Sequence, residues 1–343
     1  MDFGLVEPSK LQEVDHTLPK DGDQTIKILN GSSSSGKLDI RLGMAKWGRK
    51  EWLGKLYDLK VREADFLSEY TKHFNFIEMN AVFYSIPNSD LIRKWKQMID
   101  KNAISDFLFM PKFSRTMSHV KRLIDAEVET ELFISNIKEL GPYLGPCFLQ
   151  MGDNFSFSRF DILKAYLEKL PKDMKFFLEL RHESWFEIEN NRKEMLRLLS
   201  DLGIGLVICD TSGRRDLVHM ELTIPEVFIR FNGNNIDYTN TNEQRIDAWV
   251  ERLKTWIDKG LEKIYFSVQQ QDDKDSPGLA KYVIEQFNLK LGATIPEIVW
   301  KEEPTVTYQY IEDEEGTTEI TTYKIRIVRD DEDSISPSSD STE

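Results

Sequence analysis

Residues 176–186 read FFLELRHESWF, and this stretch decides the fold. Its apolar run, Phe176 to Leu180, is short and aromatic, as a buried strand is. It breaks off in a dense polar cluster, Arg181-His182-Glu183-Ser184. An amphipathic segment follows at 191–202, with apolar residues at helical spacing. The same unit recurs along the chain. The other strand candidates are 39–44, 75–79, 106–110, 146–150, 205–209, 226–230 and 263–268. Helical patterns occupy 61–74, 89–99, 127–140, 158–169, 243–259 and 277–288. The sixth connection, 211–225, has little helical periodicity. Eight strands alternating with helices over about 250 residues have the length and order of a (β/α)₈ barrel. The rival is a doubly wound open sheet. No glycine-rich dinucleotide fingerprint follows the first strand, which favours the barrel.

Composition divides the chain around that barrel. Residues 1–37 are polar and end in Gly31-Ser-Ser-Ser-Ser-Gly36, the composition of a flexible arm. The barrel is expected over 38–300. Two β-prone runs around Glu314-Glu315-Gly316 predict a β-hairpin extension within 301–329. Residues 330–343 are acidic and serine-rich and read as a disordered tail. The 343 residues carry a formal charge of −14. Residues 301–343 hold 4 basic and 13 acidic groups, while 38–300 hold 37 and 40. The acidity therefore belongs mainly to the tail, and the body is nearly neutral.

These numbers narrow the function classes. The acidic balance disfavours unspecific binding to nucleic acid, which needs a basic face. No apolar run reaches the 18 or so residues of a membrane span. Met1-Asp2 opens no basic and apolar leader, so a signal peptide is not expected and cytoplasm is. Cys147 and Cys209 each lie in an apolar run and read as buried thiols, too few for a disulfide framework or a cysteine metal site.

In a barrel, chemistry sits where the strands end at their C-terminal face. The polar residues that end the strands are therefore the candidates. Glu78 and Asn80 share one side of the second strand, with Tyr84 close behind. Lys112 ends the third, with His119 in the following loop. A lysine there binds an anion, pairs with Glu78, or forms a Schiff base if desolvated. Gln150 ends the fourth strand. Glu179 and Arg181 share a side of the fifth, with His182 and Trp185 directly after. Asp210 ends the sixth strand and Arg230 the seventh. Trp47, after the first strand, offers a ring wall. Glu78, Glu179, His182 and Asp210 are the catalytic candidates. Trp47, Asn80, Tyr84, Lys112, His119, Gln150, Arg181, Trp185 and Arg230 are the ligand-binding ones. The architectural alternative is a set of internal Glu–Arg pairs and turn caps.

Several segments in order resemble the YecE-like family, domain of unknown function seventy-two. They are RLGMAKWG (41–48), FIEMNAVFYSIP (76–87), FLFMPKFSRTMSH (107–119), LGPCFLQM (144–151), LELRHESWF (178–186), ICD (208–210) and IRFNG (229–233). The resemblance implies a (β/α)₈ barrel and the site residues just named, together with Phe83. It implies no particular reaction. Asn232 stands where the family usually has histidine, Met151-Gly152 where it has a proline pair, and the run Phe266-Ser267-Val268-Gln269-Gln270 where Phe-x-Asn is usual.

Three carboxylates facing three cations suit a small polar, anionic ligand, sugar-like or phosphorylated. Three functions stay open. One is an enzyme, a hydrolase or isomerase with Glu78 or Glu179 as acid or base. Another is a nucleic-acid or phosphodiester binder, by analogy with barrel repair endonucleases. The third is a non-catalytic binding protein. No cofactor is expected, and two well-placed histidines are too few for a multi-metal centre. No HExxH, nucleophile elbow, P-loop or CxxC pattern is present.

Overall fold

A computed structural model describes residues 3–32, 38–102, 106–301, 308–312 and 318–322. The chain divides into two compact units, Met1–Val299 and Trp300–Glu343. Of the second unit, the described residues are Trp300, Lys301 and two antiparallel strands that pair Tyr308–Glu312 with Thr318–Thr322. The residues expected to form the acidic tail, 330–343, lie outside the described residues, as does 33–37 of the serine-rich stretch.

The first unit is a parallel barrel. In chain order it contains α1 (Asp23–Gly31), β1 (Asp39–Met44), α2 (Phe66–Tyr70), β2 (Phe76–Met79), α3 (Ser89–Asp100) and β3 (Leu108–Pro111). Then come α4 (Glu127–Ile137), β4 (Cys147–Gln150), α5 (Phe160–Glu168), β5 (Phe176–Glu179), α6 (Glu189–Leu202) and β6 (Gly205–Asp210). The unit closes with β7 (Glu226–Gly233), α7 (Thr239–Asp258), β8 (Lys263–Gln270) and α8 (Ser276–Leu291). The strands run β3-β2-β1-β8-β7-β6-β5-β4, all parallel. Between β3 and β4 the ring closes through single bridges. Phe109 pairs with Leu144 and Lys112 with Phe148, and Phe113 N–H donates to the Phe148 carbonyl at 2.9 Å.

Side chains alternate across each strand, so residues two apart share the barrel interior. One interior layer is aromatic. The Phe228 ring centre lies 5.4 Å from Phe148, 5.9 Å from Phe177 and 6.2 Å from Phe76. Tyr265 stands 5.6 Å from Phe177 and 5.8 Å from Phe76. These rings fill the barrel and form a floor. Two residues further along the same strands come Glu78, Gln150, Glu179 and Arg230. A polar layer on an apolar floor at the C-terminal end thus follows from the alternation itself. Helix ends are set locally. The Asn88 carboxamide accepts the Leu91 N–H at 2.9 Å and caps α3. Gly203, at φ +66°, ends α6 in the left-handed region that glycine enters without strain.

Residues 3–32 are not the flexible arm that their composition suggests. After β6 the chain makes only a 3₁₀ turn, Arg215–Leu217, and no crossover helix before β7. The outer face of the sheet would be bare there. α1 covers it, reaching α6 on one side and α7 on the other. Gln24 donates to Ser200 of α6 at 3.0 Å, while Asp21 accepts from Arg252 and Trp256 of α7 at 2.6 and 3.0 Å. The Thr25 hydroxyl donates to the Met220 carbonyl and accepts from Leu222 N–H, both at 2.7 Å. Leu29 is buried. N-terminal to α1, the chain reaches the strand ends: Gly213 N–H donates to the Gly4 carbonyl at 2.9 Å, and His16 bonds Ser212 at 2.8 Å. A nine-residue helix is marginal alone in water, so these contacts hold it. Among the described residues no helix is long and apolar enough to cross a membrane.

Leu29→Ala should lower the unfolding free energy by about 2–4 kcal/mol, as a buried leucine cavity does. Urea unfolding measures it. A loss below about 0.5 kcal/mol, the usual size of a surface substitution, would mean that α1 is no part of the folded body.

Candidate functional site

The mouth is built on one buried arginine. Arg230, from β7, points its fork at two carboxylates. Its Nε and Nη2 donate to Glu78 of β2 at 3.0 and 2.6 Å. Its Nη1 donates to Glu179 of β5 at 2.6 Å. Glu179 also accepts Arg181 Nε at 2.6 Å, and Glu78 accepts the Asn80 amide at 2.8 Å. Glu78 and Glu179 are each 1% exposed. Burial raises both carboxyls, but the neighbouring cations outweigh it. Arg230 and then Lys112 hold Glu78 below the usual range. Arg181, Arg230 and Lys112 hold Glu179 down at about 2. Both are ionised at neutral pH. The Cys209 thiol beside them is pushed well up by burial, so it stays protonated.

Lys112 is the odd group. It is buried at the same end, yet its Nζ has no hydrogen bond or ion pair among the described residues. Its contacts are aromatic: Nζ lies 4.2 Å from the centre of the Phe83 ring and 5.7 Å from that of Phe148. Two arginines already match the two glutamates, so the remaining surroundings are close to neutral. Burial, then the Arg230 charge, push the ammonium down to about 7 against the pull of Glu179 and Glu78. His119 edges onto the same Phe83 ring at 5.3 Å, and burial with Lys112, Arg181 and Arg115 holds it near 4.

The other expected residues divide between the mouth and its surroundings. Gln150 is buried beside Glu179, its partner in the strand register. Asp210 is not at the mouth. Alternation turns Cys209 inward and Asp210 outward, beneath α7. There it accepts Arg245 Nη2 at 2.7 Å and Trp249 Nε1 at 2.6 Å, and pairs with Arg215. Burial would raise its carboxyl, but Arg245 and Arg215 outweigh it and hold it low. It ties strand to helix. Trp185 is fully buried, donates to the Phe155 carbonyl at 2.6 Å and stacks on the Phe155 ring. His182 caps its own turn, accepting Ser184 N–H at 3.2 Å. Trp47 packs edge-on to Trp95 of α3 at 5.4 Å. Tyr84 is 78% exposed and meets Phe83. Among the described residues no group of three or more His, Cys, Asp or Glu could hold a metal ion.

Two further residues belong to the site. Asn232 shares the inner side of β7 with Arg230, and its Oδ1 is buried with no hydrogen-bond donor among the described residues. Period-two alternation from Arg230 marks it. Phe3 lays its ring on the Arg181 guanidinium, 3.4 Å from Cζ to the ring centre. No sequence signal marks Phe3, because it reaches the mouth from outside the barrel pattern.

A protonated lysine buried without a carboxylate costs stability. The folded pKa lies below the unfolded value of 10.5, so between about 7 and 10.5 the unfolded chain binds more protons and stability falls as pH falls. Below about 7 the penalty is complete, on the order of 3–5 kcal/mol. Lys112→Met keeps the contact with Phe83 and removes the charge. It should be more stable than the native chain in urea at pH 6, by an amount that fades above pH 10. A difference that does not change with pH would contradict an unpaired buried amine.

Comparison with known proteins agrees with this architecture. The family model described as protein of unknown function DUF72 matches residues 41–303. The UPF0759 protein YecE of Escherichia coli K12 is 26% identical over 277 residues, covering 76% of this chain and 95% of that protein. YunF of Bacillus subtilis is 23% identical over 285 residues, 75% of this chain and 98% of its own. A crystal structure of a DUF72 family protein from Enterococcus faecalis V583 superposes with a TM-score of 0.55 at 20% identity, covering 75% of this chain and 99% of that one. The N-terminal segment that carries Phe3 and α1 precedes the matched region. From β1 to the end of the barrel, with the mouth residues in order along it, the chain belongs to the DUF72 family.

Proposed function

We propose that the barrel mouth binds a small ligand carrying an anionic group and a hydrogen-bond donor such as a hydroxyl. The observation that carries this is the imbalance at the mouth. Glu78 and Glu179 are matched by Arg230 and Arg181, and Lys112 is left over as an unpaired cation. Asn232 Oδ1 is left over as an unpaired acceptor. A buried acceptor without a donor is costly, and a ligand hydroxyl on Asn232 would satisfy it while the ligand's anion meets the Lys112 charge. A carboxylate held near 2 has no proton to give at pH 7, so Glu179 serves as a scaffold rather than as a general acid. Binding is thereby favoured over acid-catalysed hydrolysis.

Calorimetry with inorganic phosphate and with glycerol 3-phosphate tests this. Glycerol 3-phosphate should bind more tightly than phosphate. Lys112→Met should weaken both about tenfold or more, in line with a lost charge-assisted contact, and Asn232→Ala should erase the preference for the polyol. An anion on Lys112 raises its proton affinity, so binding at pH 8 should take up protons and the measured heat should vary with the buffer's ionisation enthalpy. Equal affinities for the native chain and Lys112→Met, or no binding by either probe at millimolar concentration, would remove this reading.

A further inference from the structure

Among the described residues the buried nucleophiles are few, and most are disarmed. The Cys147 and Cys209 thiols are both pushed up by burial, which keeps them protonated. Lysines such as Lys175, paired with Glu226, or Lys46, paired with Asp273, are themselves exposed and spend their charge on a carboxylate. Lys112 differs in every respect. It is buried at the strand ends, lies over the Phe83 ring, forms no ion pair with a carboxylate among the described residues, and directly follows β3, bridged to Phe148 of β4.

We propose that Lys112 captures the carbonyl carbon of a small anionic carbonyl compound, an oxo acid or a phosphorylated aldehyde or ketone, as a Schiff base. The proposal rests on the anion-binding reading above and names the substrate class of the same mouth. An ammonium cannot attack a carbonyl; a desolvated, unpaired amine can. The Nζ lone pair forms the C–N bond as the carbonyl π pair moves onto oxygen. Oxygen takes up the proton that the ammonium released on becoming an amine, and a second proton passes from nitrogen to oxygen as the C–O bond breaks. Water leaves, and a protonated imine remains. One ammonium and one carbonyl thus give one iminium and one water, with no oxidant or reductant. The charges also close. Glu78 and Glu179 offset Arg230 and Arg181, and the ligand's own anionic group offsets the iminium. The ionised glutamates, held by Arg230 and Arg181, then stand beside the iminium as fixed negative charges.

The test is reductive trapping on the full chain. Pyruvate and dihydroxyacetone phosphate are each incubated with the protein and sodium cyanoborohydride, and the lysines are mapped by tryptic mass spectrometry. Native protein and Phe3→Ala are run together, because the Phe3 ring lies on Arg181 at the mouth. The expected result is a reduced adduct concentrated on Lys112, at least tenfold above any surface lysine, seen as a missed cleavage within residues 102–115. The adduct should vanish in Lys112→Arg, which keeps the charge and lacks the nucleophile. Labelling of Lys112 no greater than surface background in both the native protein and Phe3→Ala overturns the proposal. Glycerol 3-phosphate, which has no carbonyl, separates the two claims. If it binds while no adduct forms, the Schiff base fails and the anion site stands. If neither occurs, both fail.

Discussion

Arg230 is the constraint on which the mouth depends. A guanidinium buried in a barrel is tolerated only when its donors are met by charge and by geometry. Glu78 and Glu179 meet it from two other strands, so the pairing ties β7 to β2 and β5 across the lumen. Replacing one partner would leave a buried charge alone, which is far costlier than losing a surface pair. The carboxylates are thereby fixed in orientation and in protonation. A group so committed is a poor proton donor and a good electrostatic wall. Among the described residues, what Arg230 and Arg181 leave unmatched at the mouth is the Lys112 amine and the Asn232 carbonyl oxygen.

The aromatic floor makes that arrangement expensive to hydrate. Phe76, Phe148, Phe177, Phe228 and Tyr265 fill the barrel one layer below, and Phe83 flanks Lys112 from the loop after β2. Rings on two sides limit the lysine's contact with water without supplying an anion. Desolvation then outweighs attraction, and the amine titrates near neutrality instead of near 10. The same floor raises the carboxyls as well, but there the arginines outweigh it. One low-dielectric environment therefore produces opposite outcomes, decided by which groups have partners.

The N-terminal segment solves a problem created far along the chain. A parallel sheet needs both faces covered, and the β6–β7 connection supplies no helix. α1 takes that position between α6 and α7. Its preceding residues continue to the strand ends, where Gly4 bonds Gly213 and Phe3 lies on Arg181. Covering the barrel wall and touching the mouth are thus two ends of one segment, and the family match begins only after it.

Much of this was legible in the sequence. Period-two alternation placed Glu78, Glu179 and Arg230 at the strand ends, and the poor periodicity of 211–225 marked the missing helix. Those signals are local, carried by neighbours two to four residues apart. Other features were not legible, because they join distant positions. Arg230 and Glu78 are 152 residues apart, and only closure of the barrel makes them partners. Asp210 ended a strand as the others did, yet its single-residue offset from the inward Cys209 turned it beneath α7 and made it structural. The polar composition of 1–37 suggested a free arm, since an amphipathic helix of nine residues gives little signal without the groove that holds it. The residues alone specify the barrel and most of the charges that gather at its mouth. Which charges cancel and which one is left over depends on closure of the barrel, because pairing is a matter of distance and burial that no local pattern encodes.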